Sequence, residues 1–398
     1  MKKKFSAGKM DATTRSDCLV EFEPKTRGGI HLELESKVRT LFGKSIKSGL
    51  LEACSALGVM HGDFHIVDQG ALPYVISARI ECAIRRADPA NRKQYLPRAP
   101  QKLSPPSAKE RFRRTRLYLP GNEPKLFPNA GMHKPDAVIL DLEDSVAPPE
   151  KDAARLLVRN ALRFGVFYGA ERMVRINQDS MGMEDLREIV PQHPDVIVIP
   201  KCEDADTIRA IDSEITSLLK DQRSRIFLLP IIESARGVVN AYSIASASPR
   251  VCALSIGLED YTADIGVERT SGGRESLFAR MAVVNAAKAA RVQALDSVYS
   301  DIDDLEGLGK AALEAKSIGF DGMGCIHPRQ IRVIHASFAP TDAEIEKAAT
   351  IVRAAKEGRK NGTAVVVVGS KMVDAPVVKR AERVLRLAKL SAGRGNGK

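Results

Sequence analysis

The sequence predicts a closed (β/α)8 barrel, a TIM barrel of α/β class, with a small N-terminal α+β unit before it and a C-terminal helical extension after it. Two observations carry the barrel. From Arg116 onward, short apolar runs recur between helical stretches: Leu117 to Pro120, Ala137 to Leu142, Met173 to Ile176, Val196 to Ile199, Ile226 to Ile232, Ala253 to Ile256, Ser297 to Tyr299 and Met323 to Ile326. Continuous apolar strands alternating with helices belong to a parallel sheet covered on both faces, and eight such units suggest closure. The second observation is a negative one. An open doubly wound sheet would usually carry a glycine-rich fingerprint after its first strand, and Pro120-Gly121-Asn122 is not one.

The remaining elements follow in order. Cys18, Val20 and Phe22 alternate with polar partners, and so do Ile30, Leu32 and Leu34, so residues 18–36 read as two strands with Gly28-Gly29 between them. Val38, Leu41, Phe42, Ile46, Leu50 and Leu57 have helical spacing. A strand near Phe64 to Val67, a turn at Asp68-Gln69-Gly70 and a second helix through Ile76, Ile80, Ala83 and Ala87 complete a unit spanning 1–88. Residues 89–110 carry Pro89, Pro97, Pro100, Pro105 and Pro106 among polar neighbours and read as an extended linker. The barrel is assigned to 111–340. The extension, 341–398, ends in a helix that begins at Pro376 and has Val377, Ala381, Val384 and Ala388 on one face.

The chain has 398 residues, 44% hydrophobic and 28% charged, enough for a sizeable core. No apolar run approaches the roughly 18 residues of a membrane span, and no apolar stretch follows the basic start as a secretion signal would require. The six cysteines are scattered without a CxxC pair, which points to a reducing cytoplasm. The net charge of +11 allows nucleic-acid binding or steering of anionic substrates. Much of the excess falls in the termini and in basic runs such as Arg111 to Arg116, expected to be solvated. With no tryptophan and 5% aromatics, stacking platforms are scarce, so small anionic ligands are favoured over nucleic acid or membrane partners.

Polar residues fall where the strands end: Asp141, Glu143 and Asp144 at the second, Arg175 and Asn177 at the third, Lys201 at the fourth, Glu233 at the fifth, Glu259-Asp260 at the sixth, Asp301 at the seventh and His327 at the eighth. That face holds the active site of such barrels. A single charged strand end is commonly structural. Carboxylates converging from several strands repel one another, and a divalent cation with oxygen ligands, Mg2+, would relieve that repulsion.

Residues 111–385 resemble the family of citrate lyase β subunits and HpcH/HpaI aldolases through RRTRLYLPGN, DAVILDLEDSVAPPEK, VRIN, VIVIPKCE, PIIESARGVVNA, IGLEDYTADIG, GCIHPRQI and KMVDAPVVKRA. The resemblance implies a Mg2+-dependent carbon–carbon lyase acting on a 3-hydroxy-acyl thioester. Glu233 and Asp260 match the family's metal ligands, with Glu259 as the neighbouring alternative. Arg175 matches an arginine that grips substrate oxygens, or it is a partner for Asp141 or Glu143, which match base or supporting positions. Arg114, Tyr118 and Lys125 match thioester-contacting positions, and His327 joins them as substrate-binding. Asp374 matches an acid supplied to a neighbouring subunit's site, or it is a helix N-cap.

Residues 7–88 resemble the citrate lyase acyl carrier (γ) subunit through Ala7-Gly8, GIHLELESKV, LFGKSI and DQGALPYVISARIECAIRRA. That family attaches a phosphoribosyl-dephospho-CoA arm to a serine two residues before an aspartate. Here the loop reads AGKMDATTRSD, so the attachment position falls on Ala12 counted forward or Arg15 counted back, with Ser16 one place out of register. The unit is then either a carrier armed at Ser16 or an unarmed docking module. The readings left open are cleavage of citryl-CoA or citryl-ACP to oxaloacetate and acetyl thioester, cleavage of malyl-CoA or citramalyl-CoA, and a scaffold or nucleic-acid-binding protein with an inactive barrel. The implied partners are further copies, as a trimer or hexamer, and a citrate lyase α-type CoA/ACP transferase subunit.

Overall fold

The computed structural model describes residues 3–96, 107–165, 167–219, 225–360, 363, 365–369 and 371–395. The chain forms two compact units, Met1–Ile331 and Arg332–Lys398. The first opens with strands β1 (Phe5–Ala7), β2 (Cys18–Pro24), β3 (Ile30–Ser36) and β4 (Gly62–Asp68) in the order β1-β2-β4-β3. On β2 the residues Cys18, Val20 and Phe22 face inward, as the alternation requires. β2 and β3 are nonetheless not neighbours. β3 runs parallel to β4 across the helix Arg39–Leu57, which places β4 between them. The turn between β2 and β3 uses positive φ at Gly28 and Gly29.

The helix Pro73–Ala87 is buried at every residue from Tyr74 to Ile84. One side packs on β1 and β2, the other on the helix Lys151–Phe164 of the barrel, so no face is left for water. Charge is buried in that contact. Arg159 donates to Glu81 at 2.6 and 2.9 Å and to Glu188 at 2.9 Å, and Arg159 and Glu81 are both wholly inaccessible. Arg85 adds a 2.7 Å bond to Glu188, and Arg86 reaches Asp152. The expected linker is drawn into the same cluster: the Tyr95 amide donates to Glu81 and Gln94 to Glu188. Pro97, Pro100, Pro105 and Pro106 lie outside the described residues.

The barrel is closed and parallel: β5 (Thr115–Pro120), β6 (Ala137–Asp141), β7 (Glu171–Arg175), β8 (Val196–Ile199), β9 (Phe227–Ile232), β10 (Ala253–Ile256), β11 (Gln293–Asp296) and β12 (Gly322–Cys325), with β12 pairing back to β5. Ile139, Met173, Val198, Leu229, Ile231 and Leu295 fill its interior. Two sequence expectations are corrected. The seventh strand is Gln293–Asp296, not Ser297 to Tyr299. Closure pairs Leu295 with Gly322, so the chain has left the sheet before Val298 and Tyr299, and Asp301 is an exposed loop residue rather than a strand end. The basic run Arg111 to Arg116 is not a solvated stretch either. Arg113 makes a fully buried pair with Glu171, Arg114 pairs with Asp136, and Arg116 is 1% exposed. Buried ion pairs of this kind need both partners.

The second unit packs the helix Asp342–Lys360 against the helix Ala375–Gly395 around Ile351, Ala355, Val378 and Ala381. An antiparallel hairpin, β13 (Val366–Val368) and β14 (Lys371–Val373), joins them. No helix among the described residues is long and apolar enough to cross a membrane.

Candidate active site

A cavity of about 460 Å³ opens at the C-terminal ends of the barrel strands. Arg116, Tyr118 and Pro120 of β5 all line it, as the period-two alternation of a strand dictates. Asp141 ends β6, Arg175 ends β7, Glu233 follows β9, and Glu259 and Asp260 sit in the first turn of the helix Leu258–Asp264 after β10. All of them line the cavity.

Arg175 organises one wall. Its Nε and Nη2 donate to the two oxygens of Asp141 at 2.6 and 2.7 Å, a bidentate fork. Its Nη1 is 2.8 Å from Glu143, and its Cζ lies 5.4 Å from the Tyr118 ring centroid. The reading of Arg175 as a partner of both acids is thus observed. Burial opposes charge on Asp141, but the Arg175 fork and the Ser145 hydroxyl outweigh it and hold the carboxyl below its usual range. Burial and the neighbouring Asp144 push Glu143 up, although Arg175 opposes them. Burial likewise raises the Tyr118 phenol.

Glu233 forms the opposite wall. It is 5% exposed, and its Oε2 is buried with no hydrogen-bond partner among the described residues. Burial first, then the negative charge of Asp260, pushes its carboxyl up to about 8. Gly257 leaves it room, since a Cβ there would stand 2.6 Å from Glu233 Cγ. Lys201 reaches between the walls, 3.5 Å from Asp260, 3.7 Å from Glu143 and 3.8 Å from Asp144. It does so from a left-handed backbone, φ 45°, a strained conformation for a residue with a side chain. The acids of this mouth carry more negative charge than Lys201 and Arg175 neutralise at Glu233. An orphaned buried carboxylate oxygen beside a second carboxylate fits a hard divalent cation with oxygen ligands.

The other expected residues are placed differently. Arg114 precedes the first residue of β5, at the opposite end of the barrel, and its guanidinium is held by Asp136 at 2.9 Å. The expectation that it meets the thioester is corrected: the parallel strand direction carries it away from the mouth. His327 turns its Nδ1 to the Arg329 amide at 3.2 Å, and the cavity wall there is Ile326. Lys125 is exposed beyond β5 and pairs with Glu123 at 3.1 Å. Glu123 also pairs with Lys9 of the N-terminal unit. Glu259 is exposed and pairs with Arg269 at 2.7 Å. Asp374, in the second unit, accepts from the Val377 amide at 3.2 Å and so caps the helix Ala375–Gly395. Ser16 has φ 55°, and its amide donates to the Gln69 carbonyl at 3.2 Å. The sequence reading missed Arg116, Ser255 and Ser297 as cavity residues. Strand alternation through Tyr118 would have exposed Arg116, had it not been absorbed into the basic run.

Residues 114–328 match the family model described as HpcH/HpaI aldolase/citrate lyase, which is more than half of the chain and nearly all of the barrel. The chain belongs to this family of carbon–carbon lyases. Residues 2–87 match the acyl-carrier model described as malonate decarboxylase delta subunit (MdcD). Among relatives of this lyase, the citrate lyase subunit beta of Haemophilus influenzae is 40% identical over 284 residues, spanning 70% of this chain and 98% of that one. The mitochondrial citramalyl-CoA lyase of Mus musculus is 34% identical over 290 residues, spanning 69% and 86%. The crystal structure of CitE from Mycobacterium tuberculosis in complex with magnesium, acetoacetate and coenzyme A is 30% identical, with TM-score 0.57, over 71% of this chain and all of that one.

Proposed function

We propose that this lyase cleaves a citryl thioester to oxaloacetate and acetyl thioester, with Mg2+ held by Glu233 and Asp260. The observation that carries the reading is the orphaned Glu233 oxygen facing the same cavity as the Arg175–Asp141 fork. Bound Mg2+ would supply a Lewis acid for the substrate's carboxylate and carbinol oxygens. Arg175 places permanent positive charge where negative charge moves during cleavage. A carboxylate takes the carbinol proton, the carbon–carbon bond breaks, its electron pair forms the thioester enolate, and an acid protonates the enolate carbon. Asp141, Glu143 and Asp374 are the candidates for these transfers. Asp141 is tied in a fork to Arg175 and held below its usual range, whereas burial raises the Glu143 carboxyl, which favours Glu143. Tyr118 and Lys125 contact the thioester body and its nucleotide.

The second reading, cleavage of malyl-CoA or citramalyl-CoA, rests on the citramalyl-CoA lyase relative. Citryl-, malyl- and citramalyl-CoA are offered in turn, with oxaloacetate, glyoxylate or pyruvate detected by coupled reduction. Citryl-CoA is expected to be turned over fastest, and turnover in excess chelator would overturn the metal assignment. Asp374 acts in a neighbouring copy's site in this proposal, within a cytoplasmic homo-oligomer. Mixing Asp374→Ala with Arg175→Ala protein is then expected to restore activity. An active monomer would refute the shared site.

A further inference from the structure

Arg116 is a buried cation without enough partners. Its side chain lies inside the barrel, two residues before Tyr118 on β5, and therefore about 6.6 Å deeper along the strand. It is 1% exposed yet lines the floor of the active-site cavity. Only its Nη2 is satisfied, donating to the Ser255 hydroxyl of β10 at 3.2 Å and to the Asp296 carbonyl of β11 at 2.9 Å. Its Nε and Nη1 are buried with no acceptor among the described residues. No carboxylate among the described residues pairs with it, and the Asp296 side chain is taken by Arg280 at 2.7 Å. This sets it apart from Arg113, Arg114, Arg159 and Arg175, each of which has a carboxylate partner. An unsatisfied guanidinium in a low-dielectric interior is costly to keep.

We propose that Arg116 is a specificity-determining residue that binds the second carboxylate of the substrate's 2-oxoacid half. The inference rests on the lyase reading above and deepens it. In a 3-hydroxy-acyl thioester of this class, one carboxylate sits on the carbinol carbon and stays at the mouth with Arg175, Glu233 and Asp260. A citryl thioester has a further carboxylate one methylene away, which becomes the terminal carboxylate of oxaloacetate. A malyl or citramalyl thioester has a hydrogen or a methyl group at that place. The floor arginine offers its charge and a free Nη1 donor to the citryl group and leaves both unpaired when hydrogen or methyl enters. That unpaired charge is a penalty against the smaller substrates as well as an attraction for the larger one. Tyr118, lying between Arg116 and Arg175 along the wall, separates the two carboxylate positions.

The test uses the full-length protein with Mg2+. kcat/KM is measured for citryl-CoA and citramalyl-CoA on the wild type and on Arg116→Met and Arg116→Lys. In Arg116→Met the preference for citryl-CoA is expected to fall by about 30-fold or more, carried mainly by KM, the scale that a charge-assisted pair supplies. Arg116→Lys should fall between the two. Loss by the same factor on both substrates would make Arg116 only a strut between β5, β10 and β11 and would overturn the proposal. A second arm needs no variant: binding of oxaloacetate and of pyruvate to the wild type is compared by calorimetry with Mg2+. Tighter binding of oxaloacetate by about 30-fold is expected, and equal binding would overturn the proposal even if Arg116→Met fails to fold. Wild type that binds oxaloacetate selectively but turns over none of the thioesters would sink the lyase reading and leave the Arg116 assignment standing.

Discussion

At the scale of single residues, Glu233 makes the sharpest prediction. Its carboxyl, pushed up to about 8 by burial and Asp260, is largely protonated at neutral pH when no metal is bound. A metal must displace that proton, so Mg2+ affinity is expected to rise with pH up to about 8 and to flatten above it. Calorimetric titrations in buffers of different ionisation enthalpy check this through the proton released, and a pH-independent affinity would contradict it. The same shift acts on folding. The folded state holds the proton over a range in which the unfolded carboxyl, near its ordinary 4.5, has lost it. The stability of chelated protein should therefore fall as pH rises from about 5 to about 8. Glu233→Gln should flatten that slope and abolish turnover, with thermal midpoints across pH as the measure. Arg175→Lys is a further case: one ammonium cannot reproduce the fork on Asp141 and the bond to Glu143 together, so kcat is expected to drop at least about 100-fold. At this scale the sequence disclosed which acids gather at the mouth, because strand ends are readable. It did not disclose how Arg113, Arg114 and Arg116 separate into two structural pairs and one open cation. A run of like charges looks solvated until strand alternation and its distant partners, Glu171 and Asp136, are known.

At the scale of elements, seven of the eight strands were legible because each is a mainly buried apolar run, and these were placed to within a few residues. The seventh was misplaced because Gln293–Asp296 is short and begins with a polar residue, while Val298 and Tyr299 carry higher strand propensity in a loop. Tertiary closure decided between them. The helix Pro73–Ala87 hid more. Its apolar face was evident, but nothing along the chain linked Glu81 to Arg159, 78 residues away. Glu81→Ala is expected to destabilise the protein by about 3 kcal/mol, since it removes one of the two carboxylates that hold the buried Arg159 and leaves only Glu188. Denaturant unfolding measures this. Replacing Glu81, Arg159 and Glu188 together by apolar residues of similar volume should cost far less, and equal losses in both variants would contradict the buried-pair account.

At the scale of the whole molecule, the question is whether the N-terminal unit still works as a carrier. A carrier must deliver a tethered group between sites, which needs freedom to move. Here the unit is fixed to the barrel by the wholly buried helix Pro73–Ala87 and by the Arg159, Arg85 and Arg86 ion pairs. The loop that would bear the arm is closed at its end by Asp17, whose two oxygens accept from Arg79 at 3.0 and 2.8 Å in the interior. Ala12, at the attachment position counted forward, has no hydroxyl, and Ser16 is held in a left-handed turn on the Gln69 carbonyl. These constraints favour a docked, unarmed unit and a free CoA thioester as substrate. Removing residues 1–109 would uncover the helix Lys151–Phe164 and leave Arg159 and Glu188 without Glu81 and Arg85. Such a truncated protein is expected to be poorly soluble, and separately supplied 1–96 should rescue it only by binding. Protein from its native host is expected to show the intact mass of the unmodified chain and full turnover of free CoA thioesters. An added phosphoribosyl-dephospho-CoA mass that disappears in Ser16→Ala would mean that the turn at Gln69 opens to accept the arm, and the fixed unit would then be a carrier loaded beside the site it serves.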